Sequence, residues 1–143
     1  MKIAIGCDHA ALDLKQIVIE YLDAIGHEVK DFGCYSKASV DYPVIAKAVA
    51  NAVKDNEYER GILICGTGLG MSYAANKIKG IRAACVSEAV SAAYARQHND
   101  AQIVCFGERI VGSEVAKQIT RVFIDTPYSG DPRHQRRVDM LES

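Results

Sequence analysis

The sequence predicts an α/β fold in which helices cover both faces of a five-stranded parallel sheet. Short apolar runs alternate with amphipathic stretches along all 143 residues, an order typical of parallel strands joined by helices. Apolar residues make up 49% of the chain and charged residues 24%, which is ordinary for a globular domain. No linker, repeat or low-complexity segment divides the chain, so we expect a single domain over residues 1–143.

The first half of the chain predicts three strands and two helices. Strand candidates occupy residues 2–7, 28–32 and 61–65. An apolar stripe at helical spacing runs over residues 14–25, and Gly26 ends it. A second stripe runs over residues 45–53, and Asp41 and Pro43 are its start signals.

The second half continues the alternation. A short helix is predicted from Leu69 to Asn76, a second from Ser87 to Gln97, and a third around residues 115–123. Further strands are expected at residues 81–86 and 103–106, and the basic tail after Pro127 and Pro132 should be helical. Right-handed crossovers leave few topologies, and we expect the first strand to lie beside the third. Their outgoing loops would then diverge and open a crevice at the carboxyl edge of the sheet.

Charge and cysteine content exclude several classes of protein. The net charge of −1 gives no basic field for nucleic acid or an acidic membrane, and no apolar run approaches the roughly 20 residues of a membrane helix. The first residues run directly into a strand pattern without signal-peptide features, so we expect a cytoplasmic protein. The five cysteines form no CxxC pair, and a disulfide framework is not expected.

The most informative feature is Cys65, which stands where a buried strand meets the turn Gly66-Thr-Gly-Leu-Gly70. Three glycines let backbone amides converge on a small anion at the start of the next helix. The positive end of a helix also favours the thiolate form of a nearby cysteine. The turn therefore predicts an anion pocket beside a base or nucleophile.

Other interpretations of the turn fit less well. A Walker A loop needs a lysine where Thr67-Gly68 follows Gly66, and a dinucleotide fingerprint needs GxGxxG where the chain has GxGxG. A cysteine phosphatase loop would place an arginine at Met71. A nucleotide-binding module keeps some support from Glu88, which stands about 20 residues on, where a ribose ligand is found in such folds. A tight turn without a ligand explains one glycine better than three.

Three further groups are candidates. Asp8-His9 follows the first strand, where Asp8 either caps a helix beginning near Ala10 or contacts a ligand. His98-Asn99 ends a helical stretch, where the imidazole either contacts helix carbonyls or exchanges a proton near neutral pH.

The basic cluster Arg133-His-Gln-Arg-Arg137 is the third group. Arg133 and Arg137 share one side of a helix and suit a phosphate, although a solvated surface is the plainer interpretation. Because the tail is distant in sequence from the glycine turn, it would reach the pocket of a partner subunit, which makes the active unit a dimer.

Taken together, the motifs resemble the type B ribose-5-phosphate isomerases, in a group that includes galactose-6-phosphate and allose-6-phosphate isomerases. The shared motifs are Gly6-Cys-Asp-His-Ala10, Asp41-Tyr-Pro43, Cys65-Gly-Thr-Gly-Leu-Gly70, Arg82-Ala-Ala84, His98-Asn99, Gly107-Glu-Arg109 and Arg133-His-Gln-Arg-Arg137. The resemblance implies a three-layer α/β/α sandwich on a Rossmann-like sheet. It also implies active sites between two subunits, with tetramers as a further option, and no metal or organic cofactor.

The resemblance also implies residue roles. Cys65 would be the base that moves a proton between C2 and C1 of the open-chain sugar, and His98 the acid or base that opens the furanose ring. The amides holding the enediolate oxygens would be those of Gly66, Thr67, Gly68, Leu69 and Gly70, with the Thr67 hydroxyl assisting. Sugar or phosphate contacts would come from Asp8, His9, Asn99 and Arg109, and phosphate ligands from Arg133 and Arg137.

The sequence thus leads to the hypothesis of a ribose 5-phosphate–ribulose 5-phosphate isomerase of the pentose phosphate pathway. Within the family, the alternative substrates are allose 6-phosphate and galactose 6-phosphate, since pocket depth is not readable from sequence. A non-catalytic nucleotide-binding module is the distant alternative.

Overall fold

The computed structural model describes residues 1–143 and contains a five-stranded sheet with six helices. The strands are β1 Lys2–Cys7, β2 Glu28–Asp31, β3 Arg60–Cys65, β4 Ala83–Cys85 and β5 Ile103–Gly107. The helices are α1 Leu12–Ala24, α2 Tyr42–Lys54, α3 Leu69–Asn76, α4 Ala89–Asn99, α5 Ser113–Asp125 and α6 Pro132–Glu142. The strand order is β2-β1-β3-β5-β4, and all neighbouring strands are parallel.

Two hydrophobic cores, one on each side of the sheet, make the three layers that the sequence predicts. Helices α1, α4 and α5 pack on one face, where Phe106 and Phe123 are fully buried. Helices α2 and α3 cover the other face around Met71. Successive β3 residues alternate between the two cores, and this alternation places Cys65 on the α2–α3 side.

The expected adjacency of β1 and β3 is confirmed by the pairing of Ile5 with Ile62. The chain leaves β1 toward the α1 face and leaves β3 toward the α3 face. The loops after these two strands therefore separate, and a crevice opens at the carboxyl edge, as this kind of switch point requires.

Some boundaries differ from the predicted ones. Strand β4 covers Ala83–Cys85 rather than residues 81–86. Just before its start, the Arg82 amide donates to the side-chain oxygen of Gln102 (2.8 Å). Helix α4 begins at Ala89 rather than Ser87 and continues to Asn99. Helix α3 spans the predicted residues, and the tail forms α6 as expected. No helix has the length and apolar character needed to cross a membrane.

A buried arginine fixes the end of α4. Arg96 is 3% exposed and donates to the carbonyls of Ala101 (2.7 Å) and Thr126 (3.1 Å) and to the carboxylate of Asp100 (2.9 Å). Because buried guanidinium donors are costly to leave unpaired, these bonds hold the last turn of α4, which carries His98 and Asn99, in one position.

Candidate active site

A cavity of about 250 Å³ at the carboxyl edge of the sheet contains Cys65. Larger cavities lie elsewhere, including one of about 510 Å³ beside the end of α6, but they hold neither a thiol nor an imidazole. The loops after β1, β3 and β5 and the start of α2 enclose the Cys65 cavity. Its lining residues are Asp8, His9, Ala10, Tyr42, Cys65, Gly66, Thr67, Gly70 and Arg109.

The thiol of Cys65 is 5% exposed and accepts a hydrogen bond from the Gly68 amide at 3.0 Å. That N–H group, at the first turn of α3, is oriented to complement negative charge on the sulfur. Gly68 has φ +85°, and a Cβ there would stand 2.8 Å from the Phe106 Cα. Both the left-handed backbone and the close approach require glycine, so the geometry of the turn and the donor to the sulfur depend on each other.

The turn offers three amides to a ligand rather than five. The amides of Gly68 and Leu69 donate within the chain, to Cys65 Sγ and to Thr67 Oγ1 (3.2 Å), and neither residue lines the cavity. Both amides are therefore used within the turn, and the substrate contacts at Gly68 and Leu69 stay predictions. The amides of Gly66, Thr67 and Gly70 have no acceptor within the chain.

The turn rests directly on the end of β5. A Cβ on Gly107 would stand 2.4 Å from the Thr67 Cα and 2.5 Å from the Gly66 carbonyl oxygen. Just beyond, Arg109 lies over Gly66, with its Nη1 3.4 Å from where a Cβ of that glycine would be. The Arg109 side chain makes no hydrogen bond or ion pair within the chain, so its guanidinium is available to an anion in the cavity.

Asp8 and His9 both lie in the cavity wall, as predicted. The Asp8 carboxylate accepts from the Ala10 amide (2.9 Å), but α1 begins only at Leu12, so the aspartate stabilises the turn before the helix and does not cap it. His9 Nδ1 accepts from the Val40 amide (3.2 Å). In the neutral ring this leaves the proton on Nε2, so His9 is a hydrogen-bond donor on that atom.

Tyr42, the first residue of α2, also lines the cavity, although sequence reasoning gave it no role. Its ring lies 2.7 Å from the position of a Cβ on Gly70, so only glycine there admits it. The motif Asp41-Tyr-Pro43 is the available signal: it predicts a helix start and is one of the motifs shared with the family, but it assigns no site role to Tyr42.

Burial affects the thiols of three other cysteines in the strands of the sheet. Burial raises the pKa of Cys7 to about 12, and burial likewise raises the pKa values of Cys85 and Cys105. At neutral pH these three thiols stay protonated and weakly nucleophilic. No three His, Cys, Asp or Glu side chains lie close enough together to hold a metal ion.

The remaining predicted residues lie outside the Cys65 cavity of the same chain. They are His98, Asn99, Arg133 and Arg137. His98 is stacked between Tyr94 (ring centroids 4.8 Å apart) and His134 (4.3 Å), which joins the end of α4 to α6. Asn99 lines a separate cavity with Arg82.

The two arginines of α6 are in different states. Arg133 forms two hydrogen bonds with the Asp131 carboxylate (3.0 and 3.2 Å), and these bonds lower the pKa of Asp131 to about 2. Arg137 is exposed and has no partner within the chain. A phosphate would therefore meet Arg137 free and Arg133 shared with Asp131.

Glu88, the residue that supported a ribose ligand, has a structural role instead. Its carboxylate accepts from the Ser91 amide (2.8 Å) and caps α4; this bond lowers the pKa of Glu88. It does not line the Cys65 cavity. The nucleotide-binding alternative thereby loses the support of Glu88, and only the glycine turn remains in its favour.

Comparison with known proteins identifies the family of this chain. Residues 3–141 match the family model for ribose/galactose isomerases. Ribose-5-phosphate isomerase B of Escherichia coli is 49% identical over 98% of this chain and 93% of its own, and a galactose-6-phosphate isomerase subunit of Clostridium acetobutylicum is 41% identical over 99% and 82%. The structure of ribose-5-phosphate isomerase B from Clostridium thermocellum superposes with a TM-score of 0.97, at 46% identity over 99% of this chain and 95% of that one. The chain belongs to the ribose/galactose isomerase family.

Proposed function

We propose that this chain interconverts ribose 5-phosphate and ribulose 5-phosphate through an enediolate, as a cytoplasmic enzyme of the pentose phosphate pathway. The observation that carries the proposal is the position of Cys65. This buried residue directly precedes a turn in which the amides of Gly66, Thr67 and Gly70 have no hydrogen-bond acceptor within the chain. A base and several oxyanion donors in one small cavity fit proton transfer next to a carbonyl.

In the proposed mechanism, Cys65 removes the C2 proton of the open-chain aldose and returns it to C1, and the proton of the C2 hydroxyl passes from O2 to O1. The carbon acid is weak, so negative charge on the neighbouring oxygen must be stabilised as the proton leaves. The free amides of Gly66, Thr67 and Gly70 serve this purpose without reorientation of water, and one such donor is commonly worth about 3 kcal/mol. The hydroxyl of Thr67 assists these amides in holding the enediolate oxygens. C2 is oxidised as C1 is reduced within the same sugar, so the reaction consumes no external oxidant or reductant.

Binding energy comes from groups remote from C1 and C2. Arg109 is a cation without a partner at the cavity wall, and Asp8 and His9 supply an acceptor and a donor for sugar hydroxyls. Contacts of this kind hold the reacting carbons against the sulfur and convert binding energy into rate.

A second subunit supplies His98, Asn99, Arg133 and Arg137, which makes the active form a homodimer, with a tetramer as the alternative assembly. These four residues lie on two helices that contact each other in one subunit, since His134 of α6 stacks on His98 of α4. Large apolar side chains are exposed one helical turn apart on α3 and α4, as expected of helices that pack against another copy. They are Leu69, Tyr73, Val90 and Tyr94.

Two inactive variants should complement each other if the site is shared. We expect Cys65→Ala and Arg137→Ala to be poorly active alone, because one lacks the base and the other a phosphate ligand. Co-expressed in equal amounts, they should recover about one quarter of wild-type activity, since half of the dimers then carry one intact site of two. Native mass spectrometry verifies that mixed dimers form. Mixed dimers without recovered activity would place both residues in one chain's site.

Substrate preference is tested by initial rates of ketose formation from ribose, allose and galactose phosphates at equal concentration. We expect ribose 5-phosphate to react about tenfold faster or more, because an extra carbon changes the span between Cys65 and the phosphate-binding arginines. Faster turnover of either hexose 6-phosphate would assign the chain to the other branch of its family.

A further inference from the structure

Glu108, in the loop after β5, connects this loop to the end of β3 and to the start of α1, beside the Cys65 cavity. Its side-chain Oε1 accepts from the Leu14 amide in the first turn of α1 at 3.0 Å, across 94 residues of sequence. Its own amide donates to the Cys65 carbonyl at 2.9 Å, and the Arg109 amide donates to the Gly66 carbonyl at 3.0 Å. Glu108 thus contacts the end of β3 with its backbone and the first turn of α1 with its side chain.

The start of α1 depends on this contact because it has no cap of its own. Residue Ala11 occupies the N-cap position and provides no side-chain acceptor. The Asp8 carboxylate, the nearest candidate, is occupied by the Ala10 amide. Early helix amides need an acceptor, and a carboxylate there also interacts favourably with the helix dipole. Glu108 fills both needs from another strand.

The contact fixes the distance between two sets of predicted ligands. Asp8 and His9 precede α1, and Arg109 directly follows Glu108. The bond between Glu108 and Leu14 is the single side-chain hydrogen bond joining the loop after β5 to α1. Without it, each wall keeps its backbone bonds to β3, but no hydrogen bond joins the two walls directly, and only packing in the core cluster that includes Leu14 and Val111 remains between them.

We propose that Glu108 is a positioning residue that holds Asp8 and His9 at the correct separation from Arg109. This inference rests on the proposed function, because it concerns binding of the sugar phosphate to that cavity. Glu108 touches no reacting atom. Its loss therefore acts on ligand binding, and replacement by glutamine, which keeps the oxygen acceptor, preserves the position.

The test compares Glu108→Ala, Glu108→Gln and the control Glu88→Ala in steady-state kinetics and thermal unfolding. Glu88 also caps a helix with its carboxylate, but away from the cavity. We expect Glu108→Ala to raise KM for ribose 5-phosphate about tenfold with a smaller change in kcat, because displaced binding groups lose ground-state contacts. Glu108→Gln should stay within about threefold of wild type, and Glu88→Ala should lower the unfolding midpoint without changing KM.

The outcomes separate this inference from the proposed function. A wild-type protein that does not isomerise ribose 5-phosphate contradicts the proposed function. An active wild type with an unchanged KM in Glu108→Ala contradicts the role of Glu108. A KM that rises equally in Glu108→Ala and Glu88→Ala, in step with lost thermal stability, also overturns it, since a general loss of stability would then explain the effect.

Discussion

Cys65→Ala is expected to lower kcat for ribose 5-phosphate by about 10³-fold or more, because the variant has no base within reach of C1 and C2. Affinity for the sugar phosphate should change little, since the phosphate contacts lie elsewhere. The decisive measurement is exchange of the C2 proton of ribose 5-phosphate in deuterated water, followed by NMR together with ligand binding by calorimetry. Binding without exchange is the expected result.

Cys85→Ala is the matched control for this experiment. Cys85 lies close to the same turn, with its Sγ 3.9 Å from the Thr67 carbonyl oxygen, but burial raises its pKa and it does not line the cavity. Its removal should leave proton exchange at the wild-type rate. If Cys65→Ala also exchanges the proton at the wild-type rate, the thiol has no part in the chemistry, and another group in the cavity must be the base.

Local sequence patterns were sufficient for most of the fold. The bounds of α3 follow from the glycine turn and from the helical spacing after it, and the β1–β3 adjacency follows from general rules of crossover handedness. Cys65 could be predicted as the centre of a site because a strand end, three glycines and a thiol are contiguous in the chain. Boundaries at β4 and α4 were less accurate, and at these points the side chains of Gln102 and Glu88 bond backbone amides.

The features that escaped prediction depend on contacts between distant segments. Tyr42 enters the cavity only because α2 packs on α3 at Gly70, and Glu108 reaches Leu14 across the sheet edge. The sequence suggested five turn amides as oxyanion donors, but the fold directs the Gly68 amide to sulfur. Spacing alone does not reveal which N–H groups a turn uses internally. The roles of His98, Asn99, Arg133 and Arg137 remain predictions, since no cavity of one chain contains them together with Cys65.

His98→Asn should affect the two directions of the reaction differently. Ribose 5-phosphate is mainly a furanose and must be opened before C2 becomes acidic, whereas ribulose 5-phosphate is acyclic because its O5 carries the phosphate. If His98 transfers the proton that opens the ring, its loss removes general acid–base catalysis of ring opening, which commonly accelerates a reaction about 10²–10⁴-fold. Only the cyclic sugar is affected. Turnover of ribose 5-phosphate then waits for spontaneous ring opening.

The dependence of rate on enzyme concentration provides the clearest test. For His98→Asn, the rate of ribose 5-phosphate consumption should reach a ceiling as enzyme is added, because ring opening in solution does not involve the protein. Consumption of ribulose 5-phosphate should stay proportional to enzyme, and wild type should be proportional in both directions. His27→Asn is the control, since His27 lies between α1 and β2, away from the cavity, and should match wild type.

The equilibrium constant makes this test stringent. A catalyst cannot change the equilibrium ratio of aldose to ketose. The forward and reverse initial rates can therefore fall by different factors only if an uncatalysed step separates the cyclic sugar from the form that the enzyme uses. A ceiling in one direction identifies that step as ring opening. If His98→Asn instead loses activity equally in both directions at every enzyme concentration, His98 acts on the enediolate or on binding. The rings of Tyr94 and His134, which stack on His98, would then position it for a role other than ring opening.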